Sequence, residues 1–201
     1  MADVARAYQI TLGNEEFVRP RPVTVSPFFR EHLEFVLTHV PFRISETAVC
    51  ENLIYPILLE AWKPFANVIQ LWCHAPLTCD AQLTGIPDYF LARRSPLGKD
   101  IMEPPILMVI EAKKDDFEWG WGQCLAAMVA AQKLNVSPGV AVHGIVATGT
   151  SWEFGKLTGS SFVTDMRSIG AGLYNLEYLL GCLSFMVEQC RQQLASYAGA
   201  A

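Results

Sequence analysis

The sequence predicts a single α/β domain with a central mixed β-sheet flanked by helices on both faces. Three observations predict it. Residues 106–110 are apolar without a break, and Ala112 continues the run, as in a strand buried on both sides. Helical and strand patterns alternate along the chain, the signature of layered α/β packing. The 201 residues, 51% of them hydrophobic, are enough for one domain that buries its core without disulfides or a structural metal.

The elements follow in order. Pro20, Pro22 and Pro27 forbid a long helix over 1–30, which reads as an irregular lead-in. Residues 28–40 form a short amphipathic helix closed by Pro41, so 1–43 is expected as an arm with a short helix and 44–198 as the domain proper. Residues 44–65 are helical, with Ser45 as N-cap and Glu46 in the first turn; Pro56 falls inside the pattern and predicts a bend. Residues 67–76 and 84–94 read as strands, the second entered through Gly85-Ile86-Pro87. The double-sided strand of 104–113 follows, then an Ala-rich helix over 117–135. A strand pair fills 140–157. A long apolar helix over 171–198 completes the order helix, three strands, helix, two strands, helix. Its apolar positions read first as buried core and second as a homodimer seam.

Composition excludes several classes. A net charge of −5 argues against a general nucleic-acid coat, while leaving a local positive groove open. The six cysteines form no CxxC, and Cys50 and Cys124 fall at buried helical phases, which suits packing in a reducing compartment. Cys73, His74 and Cys79 form at most half of a zinc site. His32, His39, His74 and His143 have no ligand spacing such as HExxH. The start "MADVARAYQI" has no apolar core of a secretory signal, and no run is long enough to span a bilayer, so a cytoplasmic protein with no membrane partner is expected.

The chemistry gathers at the end of the buried strand. Period two places Leu107, Val109, Glu111 and Lys113 on one face and Ile106, Met108, Ile110 and Ala112 on the other; Lys114 leaves on the opposite side to Lys113. Taken alone, Glu111 beside Lys113 reads as an ion pair at a sheet edge. Asp88 changes that reading. A hairpin of 86–94 into 105–113 brings its carboxylate next to Glu111, and two such carboxylates ionise together only with a cation between them. An all-oxygen site favours Mg²⁺ or Mn²⁺. On the first helix, Cys50, Leu53, Ile54, Ile57 and Ala61 define the apolar face, and Glu46 falls about 40° from its centre, closer than Glu51 or Glu60. In the Ala-rich helix, Gln123 shares a face with Ala126, Ala127 and Ala130 that is suited to lie on the sheet, so its amide needs a partner. Gln132, on the opposite face, reads as solvated.

"GIPD" followed by "VIEAKK" resembles the PD-(D/E)XK nuclease superfamily, with Pro87-Asp88 as the PD and Glu111-Ala112-Lys113 as the (D/E)XK. "SETAVCENLIYPIL" is similar to the first-helix pattern TEAxTRxxLIxPLL of the branch that resembles type I restriction-subunit nuclease domains. The likeness covers roughly 44–160. It implies a restriction-endonuclease-like core and a Mg²⁺- or Mn²⁺-dependent nuclease acting on DNA or RNA. Asp88, Glu111 and Glu46 would be metal ligands, Lys113 would place the attacking water, and Gln123 would complete the active site. Only Arg93, Arg94 and Lys99, in the loop between the two motif strands, stand out as phosphate contacts. The alternative is a catalytically silent binding or scaffold protein of the same fold, acting as a homo-oligomer.

Overall fold

The computed structural model describes residues 1–114, 116–135 and 139–198. The chain opens with α1 (Ala2–Tyr8), β1 (Thr11–Glu15) and α2 (Pro27–His39), then α3 (Glu46–Val49) and α4 (Tyr55–Trp62). The strands β2 (Ile69–Cys73), β3 (Leu77–Thr78), β4 (Thr84–Gly85), β5 (Tyr89–Arg94) and β6 (Met102–Ala112) lead to α5 (Phe117–Leu134). Strands β7 (Val142–Ala147), β8 (Ser151–Thr158), β9 (Ser161–Asp165) and β10 (Ile169–Gly170) precede α6 (Leu176–Ala198).

The expected mixed sheet is present. Its order is β1-β9-β8-β7-β6-β5-β2, with β10 attached to β8, while β3 and β4 form a separate ribbon. β6 is antiparallel to β5 and parallel to β7, so it lies in the interior of the sheet. Each face carries its own apolar cluster. One holds α2, α3, α4 and α6 through residues such as Leu33, Ile57 and Leu183; the other holds α1 and α5 through Ala5, Leu125 and Met128. A strand covered on both sides must be apolar at successive positions, which accounts for the unbroken run.

The structure departs from the sequence reading in several places. Residues 1–43 are not a separate arm: β1 is an edge strand parallel to β9, and Val18 is completely buried in the core. β1, β9 and β10 extend the sheet beyond the five strands expected. The bend foreseen at Pro56 takes the form of a π-helical turn, Cys50–Ile54, in which Tyr55 N–H bonds Cys50 O. Proline has no N–H for the next ladder bond, and its ring crowds the carbonyl four residues back, so the turn ahead of it widens. Strict alternation along β6 fails at Leu107. Leu91 faces Met108 and Ala92 faces Ile106, so Leu107 is an extra residue in a bulge. Leu107 therefore joins Met108 and Ile110 on the α6 side, and Ile106 joins Val109 on the α5 side. Downstream of the bulge the expected parity holds.

Of two side-chain expectations, the buried-core reading of α6 holds and the solvated reading of Gln132 changes. α6 commits Leu176, Leu179, Leu183, Met186 and Cys190 to the core, and its other side carries Glu188, Gln189, Arg191 and Gln192. Gln132 is half-buried, and with its amide oriented to satisfy both groups it bonds the N–H and the C=O of Gly159 at 2.8 and 3.0 Å. It clamps the β8–β9 turn, where Gly159 has a φ of +57°, a conformation that costs glycine nothing. Among the described residues no helix is long and apolar enough to cross a membrane.

Candidate functional site

Register brings the motif residues together. Asp88 immediately precedes β5, and Tyr89 faces Ile110, so Asp88 lies beside the C-terminal end of β6. Its Oδ2 accepts the Ala112 N–H at 2.8 Å, which fixes the carboxylate against the strand that carries Glu111. On its other side, Oδ1 is 3.8 Å from Nδ1 of His74, and the backbone N–H of His74 donates to the Asp88 carbonyl at 2.9 Å. His74 has a φ of +47°. In the sequence His74 stands out only as half of a zinc site. Its relation to Asp88 follows from the β2–β5 pairing, in which Cys73 faces Tyr89.

Glu111 and Lys113 are both buried, at 6% and 8% exposure, in a protein whose other charges are mostly at the surface. Lys113 N–H donates to Ala147 O at 2.9 Å, extending the β6–β7 pairing past the formal end of the strand. Its stem passes the glycine that opens "GWGQ": a Cβ at Gly120 would come within 2.9 Å of the Lys113 Cγ and 2.6 Å of Val146. Gly120 thus lets α5 lie close to β7 and leaves a channel for the lysine. Lys113 Nζ stands 3.7 Å from Glu111 Oε2 and 3.5 Å from Glu46 Oε1. These are ion-pair separations, longer than the 2.7–3.2 Å or so of a hydrogen bond.

Glu46, expected on the inward face of the first helix, is at the rim instead, with 45% of its side chain exposed. It occupies the first turn of α3 behind its N-cap, Ser45, whose hydroxyl accepts the Ala48 N–H at 3.0 Å. The widened π turn that follows turns the helix so that Val49, Cys50, Leu53 and Ile54 take the buried face. Glu46 still reaches the site through Lys113.

Gln123 is also displaced from its expected place. The stripe of α5 that lies on the sheet is Trp121, Cys124, Leu125 and Met128, because the close approach at Gly144 and Gly155 admits the Trp121 ring there. The Gln123 face borders a cleft of ≈ 200 Å³ between α5 and the β3–β4 ribbon. Glu111 and Pro87 line the same cleft, with Ala126, Ala127 and Ala130 as its small-residue wall. Gln123 is therefore exposed to whatever enters the cleft that Glu111 faces.

The electrostatics single out Glu111. Its pKa is pushed up to about 8, first by burial, then by the neighbouring Asp88 carboxylate; Lys113 opposes the shift, and hydrogen bonding to Asp88 and the charge of Glu46 add to it. Glu111 keeps its proton because burial and the neighbouring carboxylate both disfavour its charged form. Beneath them, the Cys50 thiol is raised to about 11, chiefly by burial and then by Asp88, so it is inert at neutral pH.

Asp88 and Glu111 thus form a carboxyl pair whose proton a hard divalent cation could displace. Among the described residues no three His, Cys, Asp or Glu side chains form a cluster that could hold a metal ion. Glu46 pairs instead with Lys113, so the donor set of this arrangement is the Asp88–Glu111 pair. Arg93, Arg94 and Lys99 lie away from it. β5 runs from the site toward Arg94, about 20 Å along the strand at about 3.3 Å per residue. Arg93 is paired there with Glu103, and Arg94 donates to the Ala66 carbonyl.

No family model matches the chain, and no curated protein or solved structure matches it significantly.

Proposed function

We propose that the protein is a Mg²⁺- or Mn²⁺-dependent nuclease with a restriction-endonuclease-like core, hydrolysing phosphodiester bonds of DNA or RNA. One observation carries the reading. Asp88 and Glu111 meet at the ends of adjacent strands, Glu111 holds its proton up to about pH 8, and a buried lysine stands 3.7 Å away. Functional sites concentrate such perturbed pairs. The resemblance of the Asp88 and Glu111-Ala112-Lys113 segments to the PD-(D/E)XK pattern supports the same assignment.

Asp88 and Glu111 would hold the cation, with Glu46 as a further carboxylate once it leaves Lys113. The ion would polarise a phosphate and lower the pKa of its water. Asp88 is oriented for its task by the Ala112 N–H. Lys113 carries its ammonium on a stem confined by Gly120 and Val146, so it places positive charge where the phosphorane would develop. Gln123, at the cleft rim, supplies an amide to a substrate oxygen. Glu111 changes between acid and base with the contents of the site.

Incubation with supercoiled plasmid, single-stranded DNA and RNA, each with Mg²⁺ or Mn²⁺, is the test. Cleavage of at least one substrate is expected, abolished by chelator and by Asp88→Asn. No cleavage of any of the three contradicts the reading.

A second reading is a silent scaffold of the same fold, acting as a homo-oligomer. The observation favouring it is Lys113, which stands between Glu111 and Glu46 and closes the site as an ion-pair triad.

A further inference from the structure

With Arg93, Arg94 and Lys99 at the far end of β5, the proposed nuclease needs other cations beside its cleft. A second pocket supplies them. It measures ≈ 230 Å³ and is lined by Phe42, Arg43, Val49, Lys114, Thr148 and Thr150. Among the described residues no carboxylate lines it, in a chain with 20 acidic and 15 basic residues. Arg43 and Lys114 come from separate segments, and neither has an ion pair among the described residues.

The pocket is built into the fold. The 148–151 turn is fastened by Thr148 N–H to Ser151 O at 2.9 Å and by Ser151 N–H to Thr148 Oγ1 at 3.2 Å. Gly149, with a φ of +80°, has no room for a side chain: a Cβ there would lie 2.6 Å from Val49 Cγ1. This contact presses the turn onto the helix that bears Glu46 and presents the Thr148 and Thr150 hydroxyls, 3.5 Å apart, toward Arg43 and Lys114. The wall is shared with the carboxyl site, because Lys114 directly follows Lys113 and Val49 lies one turn after Glu46. Two cations and two hydroxyls around a small polar space are the donors a tetrahedral phosphate requires.

We infer that this pocket binds a backbone phosphate of the nucleic-acid strand, neighbouring the phosphate that is cleaved at Lys113. The inference rests on the proposed nuclease reading and gives Lys114 a role distinct from that of Lys113. It makes the path of the strand run across the end of β6, over the pocket where the 148–151 turn meets α3, and not along the β5–β6 loop.

The test is binding of a fluorescently labelled DNA oligonucleotide, single-stranded and duplex, followed by anisotropy as a function of salt with Ca²⁺ in place of Mg²⁺. Arg43→Ala/Lys114→Ala is expected to raise Kd at least about tenfold and to lower the slope of log Kd against log salt by about one. Arg43→Lys/Lys114→Arg keeps the slope, and Lys99→Ala, at the far end of the sheet, leaves both quantities unchanged. Both target side chains are exposed, so the melting temperature of the double variant stays at the wild-type value. Wild-type affinity and slope in the alanine double variant, with cleavage intact, overturn this inference alone. Absence of binding by the wild-type protein overturns it together with the nuclease reading.

Discussion

Lys113→Met is expected to reduce cleavage by about 10³-fold while the protein remains folded and still binds Mn²⁺. The methionine keeps the length of the stem that lies between Gly120 and Val146 and removes only the ammonium. That ammonium opposes protonation of Glu111. Its loss drives the Glu111 pKa higher still, so the residual activity of the variant rises toward more alkaline pH than that of the wild type. Single-turnover rates across pH 6 to 9, with Mn²⁺ binding measured in parallel, separate the two effects. A variant that cleaves at the wild-type rate removes Lys113 from the chemistry.

The second large effect is on stability and lies away from the site. Asp165→Ala is expected to destabilise the fold by about 3–5 kcal/mol. The Asp165 side chain is only 1% exposed. One carboxylate oxygen accepts the N–H groups of Phe17 and Val18 at 2.9 and 2.8 Å, and the other takes Nε of Arg167 at 3.0 Å. Arg167 in turn donates to the Val18 carbonyl at 2.6 Å. This carboxylate fastens the segment after β1 to the end of β9, and its loss leaves two backbone donors and a guanidinium without their acceptor. For a chain of this length the melting temperature falls by roughly 10 °C. Burial raises the Asp165 pKa, but the Arg167 bond and the backbone donors outweigh it and hold the group below its usual value. A depressed folded-state pKa stabilises above the ordinary aspartate range, and the contribution is lost as pH falls through the folded-state value. Thermal melts of wild type and variant at pH 7 therefore differ most, and the gap narrows in acid. A loss under about 1 kcal/mol at pH 7 contradicts the clamp.

These two cases also mark what is legible in the sequence. Glu111, Lys113 and Asp88 could be read because they depend on local rules: strand parity over three residues and a hairpin between neighbouring strands. The Asp165 clamp could not. β1 is exposed along its whole length, so Thr11–Glu15 carries no alternation to betray it, and its partner strand is far along the chain. The bulge at Leu107 adds a residue without changing the apolar character of β6, so nothing in the pattern signals the inversion of Ile106 and Leu107. An ideal helical wheel turns Glu46 inward, but the π turn ahead of Pro56 changes the period just beyond it. Alanines suit close packing, so the pattern turns the Gln123 face of α5 toward the sheet. Gly144 and Gly155 instead let the larger Trp121 take that side, and the alanines line a cleft. The place of Arg93, Arg94 and Lys99 between the motif strands suggests phosphate contacts, but a loop between antiparallel strands lies at the opposite end from the residues that precede the first strand.

If Asp88 and Glu111 form a site for a divalent cation, calorimetric titration with Mn²⁺ detects it. Glu111 holds its proton up to about pH 8, and an incoming cation must displace that proton. Between the ordinary glutamate range and pH 8 the affinity therefore rises with pH, by up to about tenfold per unit, and levels above. At pH 7, titrations in two buffers of different ionisation enthalpy register close to one proton released per ion bound. Asp88→Ala abolishes the binding. Absence of Mn²⁺ binding at pH 8.5, affinity that does not change between pH 6 and pH 8, or undiminished binding by Asp88→Ala rules out a cation site at this pair.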